Sequence, residues 1–204
     1  MKNAKTRTNL VQMAQLAILI AIMLLLAFTP IGYLKAGVIE ITFMVLPVAV
    51  GATLLGPLGG AVLGGVFGLT SFLQCFGMSS FGTFLFGLNP VLTFLTCVVP
   101  RILCGLLSGL FFRLLQKRDR THIASYFLAS LSTALLNTLF FMGALILFFW
   151  RNPLFLSQMT EWGMPLDTLW VFLVAFVGLN GLVEAIANAV LGGAIGKALS
   201  HFVH

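Results

Sequence analysis

The sequence predicts an all-α integral membrane protein, a six-transmembrane-helix bundle with both termini cytoplasmic. Three observations carry that expectation. Hydrophobic residues make up 60% of the 204-residue chain and mean hydropathy is +1.10, beyond the range of an ordinary soluble domain. Asp, Glu, Lys and Arg together are only 8%, and nearly all of them fall in short gaps between long apolar runs. The basic residues are also distributed unevenly between alternate gaps, as topology determinants are.

A helix needs about 20 apolar residues to cross the hydrocarbon core. Taken in order, the spans fall at about 10–29, 38–56, 58–75, 89–116, 122–149 and 168–199, within a single membrane domain over 1–204. Lys2, Lys5 and Arg7 precede the first span as a signal-peptide n-region would. The apolar stretch from Leu10 to Phe28 is too long for a signal h-region and no A-x-A site follows, so a retained span is expected. Gly56-Pro57 separates the second and third spans by a tight turn. Pro47, Pro90 and Pro100 mark kinks or first turns, which bundle neighbours tolerate. Gly56, Gly60, Gly64 and Gly68 form a stripe that permits close helix approach.

Six spans put both termini on one face. That face receives Lys2, Lys5, Arg7, Arg113, Lys117, Arg118, Arg120 and Lys197, and the other receives only Lys35 and Arg151. The positive-inside rule then makes the terminal face cytoplasmic. Tyr33, Trp150, Trp162 and Trp170 land at the opposite boundary, where amphipathic rings settle. The net charge of +6 thus reads as a match to anionic headgroups, not as a nucleic-acid surface.

Polar residues cluster on helix ends near the outer connections at 30–37, 76–88 and 150–167. Thr70, Ser71, Gln74, Ser79, Asn89, Thr93, Asn137 and Asn180 offer donors and acceptors that fix a small solute in an apolar cavity; the alternative is hydrogen bonding between helices that holds the bundle together. Arg101 and Glu184 lie inside apolar runs at comparable depth. An intramembrane charge costs about 2.5–3.5 kcal/mol on insertion scales. Two readings stand: a mutual ion pair, or Arg101 holding a carboxylate of the solute. Trp150 is placed either to stack on a planar ligand or to anchor the interface. Ala17 and Ala21, with Ala14 one turn away, make a small-residue face that either packs within the bundle or receives a partner helix.

Other chemistry finds little support. Cys75, Cys97 and Cys104 form no CxxC and read as small packing residues. His122, His201 and His204 have no zinc spacing, so no metal site and no cofactor is expected. A P-loop is absent, which leaves any ATP hydrolysis to partner subunits, and no serine–histidine pairing suggests an enzyme.

Four segments bear a family resemblance: Ala17-Ile-Leu-Ile-Ala21, Pro100-Arg101-Ile-Leu-Cys-Gly105 followed by a basic loop, Leu136-Asn137-Thr138-Leu139-Phe140, and Asn180-Gly181-Leu-Val-Glu184-Ala185. With them the chain resembles, over essentially its whole length, the substrate-binding S-components of energy-coupling factor (ECF) vitamin transporters. The run from Ser71 to Thr83 and the Asn137 segment look most like the pantothenate-specific members. The resemblance implies a six-helix bundle in the plasma membrane of a prokaryote, holding a vitamin near the outer face. It implies docking through the Ala14, Ala17 and Ala21 face on a shared transmembrane coupling protein driven by two ATPases, with toppling of the bundle to carry the ligand inward. Substrate contacts are expected from Thr70, Gln74, Asn89, Arg101, Asn137, Trp150, Asn180 and Glu184. Alternatives are an S-component for another vitamin, such as folate or riboflavin, and a stand-alone small-solute permease.

Overall fold

The computed structural model describes residues 2–29, 33–36, 39–117, 124–165 and 168–200. The described chain is helical apart from one short hairpin. In order it forms α1 (Lys2–Ala27), β1 (Tyr33–Ala36), β2 (Ile39–Thr42), α2 (Val45–Leu54), α3 (Gly56–Gln74), α4 (Ser80–Leu88), α5 (Pro90–Gln116), α6 (Ala124–Phe149), α7 (Pro153–Glu161), α8 (Leu169–Ala187), a π turn (Asn188–Gly192) and α9 (Gly193–Ser200). Among the described residues, four helices are long and apolar enough to cross a membrane: α1 from Leu10 onward, α3, α5 and α6. The protein is a helical membrane protein.

The segment 38–56, expected as one span, is two elements. β1 and β2 pair antiparallel with Tyr33 opposite Thr42, and the helix begins only at Val45. Two features explain this. Ile39, Ile41 and Thr42 are β-branched and suit a strand, while Pro47 is tolerated only near a helix start. The ten residues of α2 rise about 15 Å, half of the roughly 30 Å core. The connections at 76–88 and 150–167 also carry structure, namely α4 and α7.

Local chemistry sets the helix starts. The Asn89 side chain accepts from the N–H groups of Val91 and Leu92, both at 3.1 Å, with Pro90 in the first turn where it lacks no needed donor. Ser79 caps α4 by accepting from Gly82 at 3.2 Å, Asn152 caps α7 from Leu154 at 2.9 Å, and Thr168 caps α8 from Val171 at 3.3 Å. Between α2 and α3, Gly56 turns the chain at φ +77°, a left-handed conformation that glycine adopts without penalty.

The tightest interface joins α3 to α5. A Cβ on Gly64 would run into the Arg101 backbone carbonyl, and one on Gly60 into that of Gly105, so the glycine stripe lets two backbones touch. One apolar core gathers Leu19, Met23, Val45, Val48, Leu63 and Phe67 from α1, α2 and α3. A second, aromatic core gathers Leu85, Phe149, Phe155, Phe172 and Phe176 from α4, α6, α7 and α8. Between them lies a polar gap.

Candidate functional site

The gap is a cavity of about 150 Å³ at the end of the bundle remote from the α5–α6 connection. Each wall comes from a different element. Gln74 and Cys75 lie at the end of α3, Ser79 at the start of α4, Cys97 and Arg101 on α5, Asn137 and Phe141 on α6, and Glu184 on α8; Thr42 closes the hairpin side. α8 departs from helical geometry at Gly178 (φ 10°, ψ −126°), between Phe176 and Val177 on one side and Gly181 and Glu184 on the other, all of them in the wall. Such breaks are characteristic of glycine.

Arg101 is 7% exposed, and the residue before it explains its posture. Pro100 has no N–H, so the Thr96 carbonyl four residues back loses its helical donor. Arg101 Nη1 donates to that carbonyl at 2.7 Å. The guanidinium is held between aromatic faces, 4.4 Å from the Phe141 centroid and 5.4 Å from that of Phe67, geometry in the range of cation–π attraction. Its Nε has no hydrogen-bond partner among the described residues.

Glu184 faces the same space. Its carboxylate is in hydrogen-bonding reach of the Thr42 backbone N–H and the Asn137 side chain, yet Oε1 is buried with no hydrogen-bond partner, as is Asn137 Oδ1. No ion pair joins Arg101 to Glu184 among the described residues, so the mutual-pair reading of these charges is not realised as a direct contact. Each is left with unused hydrogen-bonding capacity around one cavity. Gln74, also in the wall, donates from Nε2 to the Ala27 carbonyl at 2.8 Å and thereby ties the end of α1 to α3.

Beyond the cavity wall, buried polar side chains continue along the contact of α6 with α8 and the π turn. α6 and the α8–π segment run antiparallel, with Asn137 beside Glu184 and Ser130 Oγ 3.0 Å from the Cβ position of Gly192. Thr133 and Asn188 fall between these levels. Cys104 donates to the Thr133 carbonyl at 3.2 Å, and Asn188 Nδ2 to the Glu184 carbonyl at 2.8 Å.

Comparison with known sequences then identifies the family. The family model described as ECF transporter, substrate-specific component matches residues 11–194. The chain is 32% identical over 206 residues to the pantothenate transporter PanT of Leuconostoc mesenteroides, an alignment covering 98% of this chain and 95% of that protein. It is 29% identical over 168 residues to the pantothenic acid transporter PanT of Lactococcus lactis, covering 78% of this chain and 77% of that one. The chain belongs to the ECF substrate-specific components.

In this S-component the expected contact residues divide. Gln74, Arg101, Asn137 and Glu184 converge on the cavity. Thr70 lies outside its wall: it is 3% exposed and donates to the Phe67 carbonyl at 2.9 Å within its own helix. Asn89 is an exposed helix cap. Trp150 packs against Phe172 at 5.3 Å in the aromatic core. The Asn180 side chain lies outside the described residues. Ser71 and Ser79, both in the expected polar cluster, also line the cavity, whereas sequence reasoning passed over Thr42 and Phe141 as wall residues. Thr42 had no readable signal, because a residue leaving a hairpin contributes through its backbone. Phe141 had one, since it follows Asn137 by one helical turn.

Proposed function

We propose that this S-component captures pantothenate and delivers it inward as part of an ECF transporter. The observation that carries the reading is the set of unpartnered atoms around one cavity: Arg101 Nε, Asn137 Oδ1 and Glu184 Oε1. Buried polar atoms without partners are costly, about 1–3 kcal/mol each, and a polar solute would satisfy all three at once. Pantothenate offers a carboxylate for Arg101, an amide for Asn137 or Gln74, and hydroxyls for Glu184. Its gem-dimethyl group suits the Phe67, Phe141 and Met142 surfaces. The names of both relatives support the same ligand. A flavin or pterin is served less well, because Trp150, the indole expected beside this site, lies in the aromatic core.

The same reading places six crossings in the plasma membrane of a prokaryote with both termini cytoplasmic, α2 and the hairpin completing the second crossing and α8 through α9 the sixth. Ala14, Ala17 and Ala21 are exposed on α1, which supports their use as a docking face for the transmembrane coupling protein, itself driven by two ATPases. Calorimetry on the purified protein tests the ligand assignment. Pantothenate should bind, Arg101→Ala should abolish binding in a folded protein, and the amide analogue of pantothenate should lose its disadvantage against the acid in that variant. Wild-type protein that ignores pantothenate while binding a different vitamin would overturn the assignment.

A further inference from the structure

Two of the three cysteines, 22 positions apart in sequence, meet in the cavity wall. Cys75 Sγ and Cys97 Sγ are 4.0 Å apart, both residues are buried at 3% and 5% exposure, and both line the cavity. Cys75 is the first residue past α3, and its sulfur fills the space that a Cβ on Gly82 would need, 2.8 Å from that position. It also donates to the Ser71 carbonyl at 3.4 Å. Cys97 lies one turn before Arg101 and directly after Thr96, whose carbonyl anchors the guanidinium. Cys104, the third thiol, is turned instead to the Thr133 carbonyl.

We propose that Cys75 and Cys97 constitute a dithiol site in the cavity wall, which peroxide-class oxidants close to a disulfide and trivalent arsenicals bridge, and whose closure weakens solute binding. Closing the 4.0 Å gap between the sulfurs to a bonding distance of about 2.05 Å draws Cys75 toward α5. The oxidation is balanced with hydrogen peroxide as the oxidant. One thiol gives up its proton, its thiolate attacks a peroxide oxygen, the O–O bond breaks to leave a sulfenic acid, and the departing hydroxide takes that proton to form water. The second sulfur then attacks the first, the S–S bond forms, the S–O bond breaks and a second water leaves. An arsenoxide needs no oxidant: two thiols replace its oxygen, which departs as water.

Closure acts on binding through its neighbours. Gln74 precedes Cys75 and its carbonyl accepts from both Met78 and Ser79 at 3.0 Å, so drawing Cys75 toward α5 shifts the turn that carries two wall residues. A shift of Cys97 disturbs the Thr96 anchor of Arg101. Losing one good hydrogen bond to the solute corresponds to about a tenfold fall in affinity.

The inference rests on the pantothenate reading only for its effect on binding, and the experiment separates the two. Purified protein is treated with hydrogen peroxide, denatured, and its thiols counted; the count should fall from three to one, the mass by two hydrogens, with a peptide joining Cys75 to Cys97. Cys75→Ser and Cys97→Ser should each form no bridge within the chain. Phenylarsine oxide on untreated wild-type protein, a readout independent of any variant, should add one arsenical per chain. Three surviving thiols, or a bridge involving Cys104, would overturn the site. Calorimetry with pantothenate follows on reduced and oxidised protein. Affinity should fall about tenfold on oxidation and return with dithiothreitol; unchanged affinity in a bridged protein would overturn the coupling. Reduced protein that fails to bind pantothenate would overturn the ligand assignment while leaving the thiol result to stand on its own.

Discussion

Single residues in this protein do different work from what their type suggests. Asn89 and Asn137 are both amides expected at the site, yet one ends in a helix cap and the other in a cavity with Oδ1 unpartnered. The distinction makes Asn137→Ala informative. It removes an acceptor from the cavity and a neighbour from Glu184, so pantothenate affinity should fall about ten- to hundredfold, the equivalent of 1–3 kcal/mol. Asn89→Ala should instead leave affinity unchanged and lower stability by about 1 kcal/mol. Calorimetry and a thermal unfolding curve on both variants check the pair; equal affinity losses would mean that the cap and the cavity are not separate.

At the level of elements, Pro100 shapes the site more than its own side chain does. In α5 it frees the Thr96 carbonyl, and the next residue's guanidinium takes the place of the missing N–H. Pro100→Ala would restore that donor. The helix should then gain stability, while Arg101 loses its anchor and more of its freedom must be given up on binding. The expected outcome is a higher melting temperature together with weaker pantothenate affinity. A variant that binds as tightly as wild type would show that Nη1 is held by the ligand and the aromatic faces alone. The backbone of α5 has little room to compensate, since Gly64 on α3 sits against the Arg101 carbonyl.

On the scale of the whole molecule, α1 presents two unlike sides. Leu19, Met23 and Ala27 are in the core, while Ala14, Ala17 and Ala21 are exposed beside Met13, Ile18 and Leu25. If the alanine side receives a coupling protein, Ala17→Trp with Ala21→Trp should block complex formation and uptake yet spare pantothenate binding by the isolated subunit, because the cavity is walled mainly by α3 to α6 and α8. Lost binding would assign the face to internal packing. The orientation has its own check. In a background with Cys75, Cys97 and Cys104 replaced by Ser, a cysteine placed beside Lys117 should label only from the cytoplasm and one beside Glu161 only from outside; the reverse pattern would invert the topology.

Hydropathy adds up along a stretch of chain, and this is why the sequence alone determined the membrane class, the long apolar helices and the family, and flagged Arg101 and Glu184 as charges needing a purpose. Depth was legible in part, since Arg101 and Glu184, read at comparable depth, do line one cavity. Rotation about each helix axis was not. In a soluble helix the polar face marks the outside, whereas here lipid and core are equally apolar and the pattern carries almost no phase. The structure alone therefore decided that Thr70 turns into its own helix, that Trp150 joins the aromatic core, and that Arg101 reaches back to a proline-freed carbonyl instead of across to Glu184. It also decided that Cys75 and Cys97, unremarkable in spacing, lie sulfur to sulfur, because only the packing of α3 on α5 sets where two such side chains end.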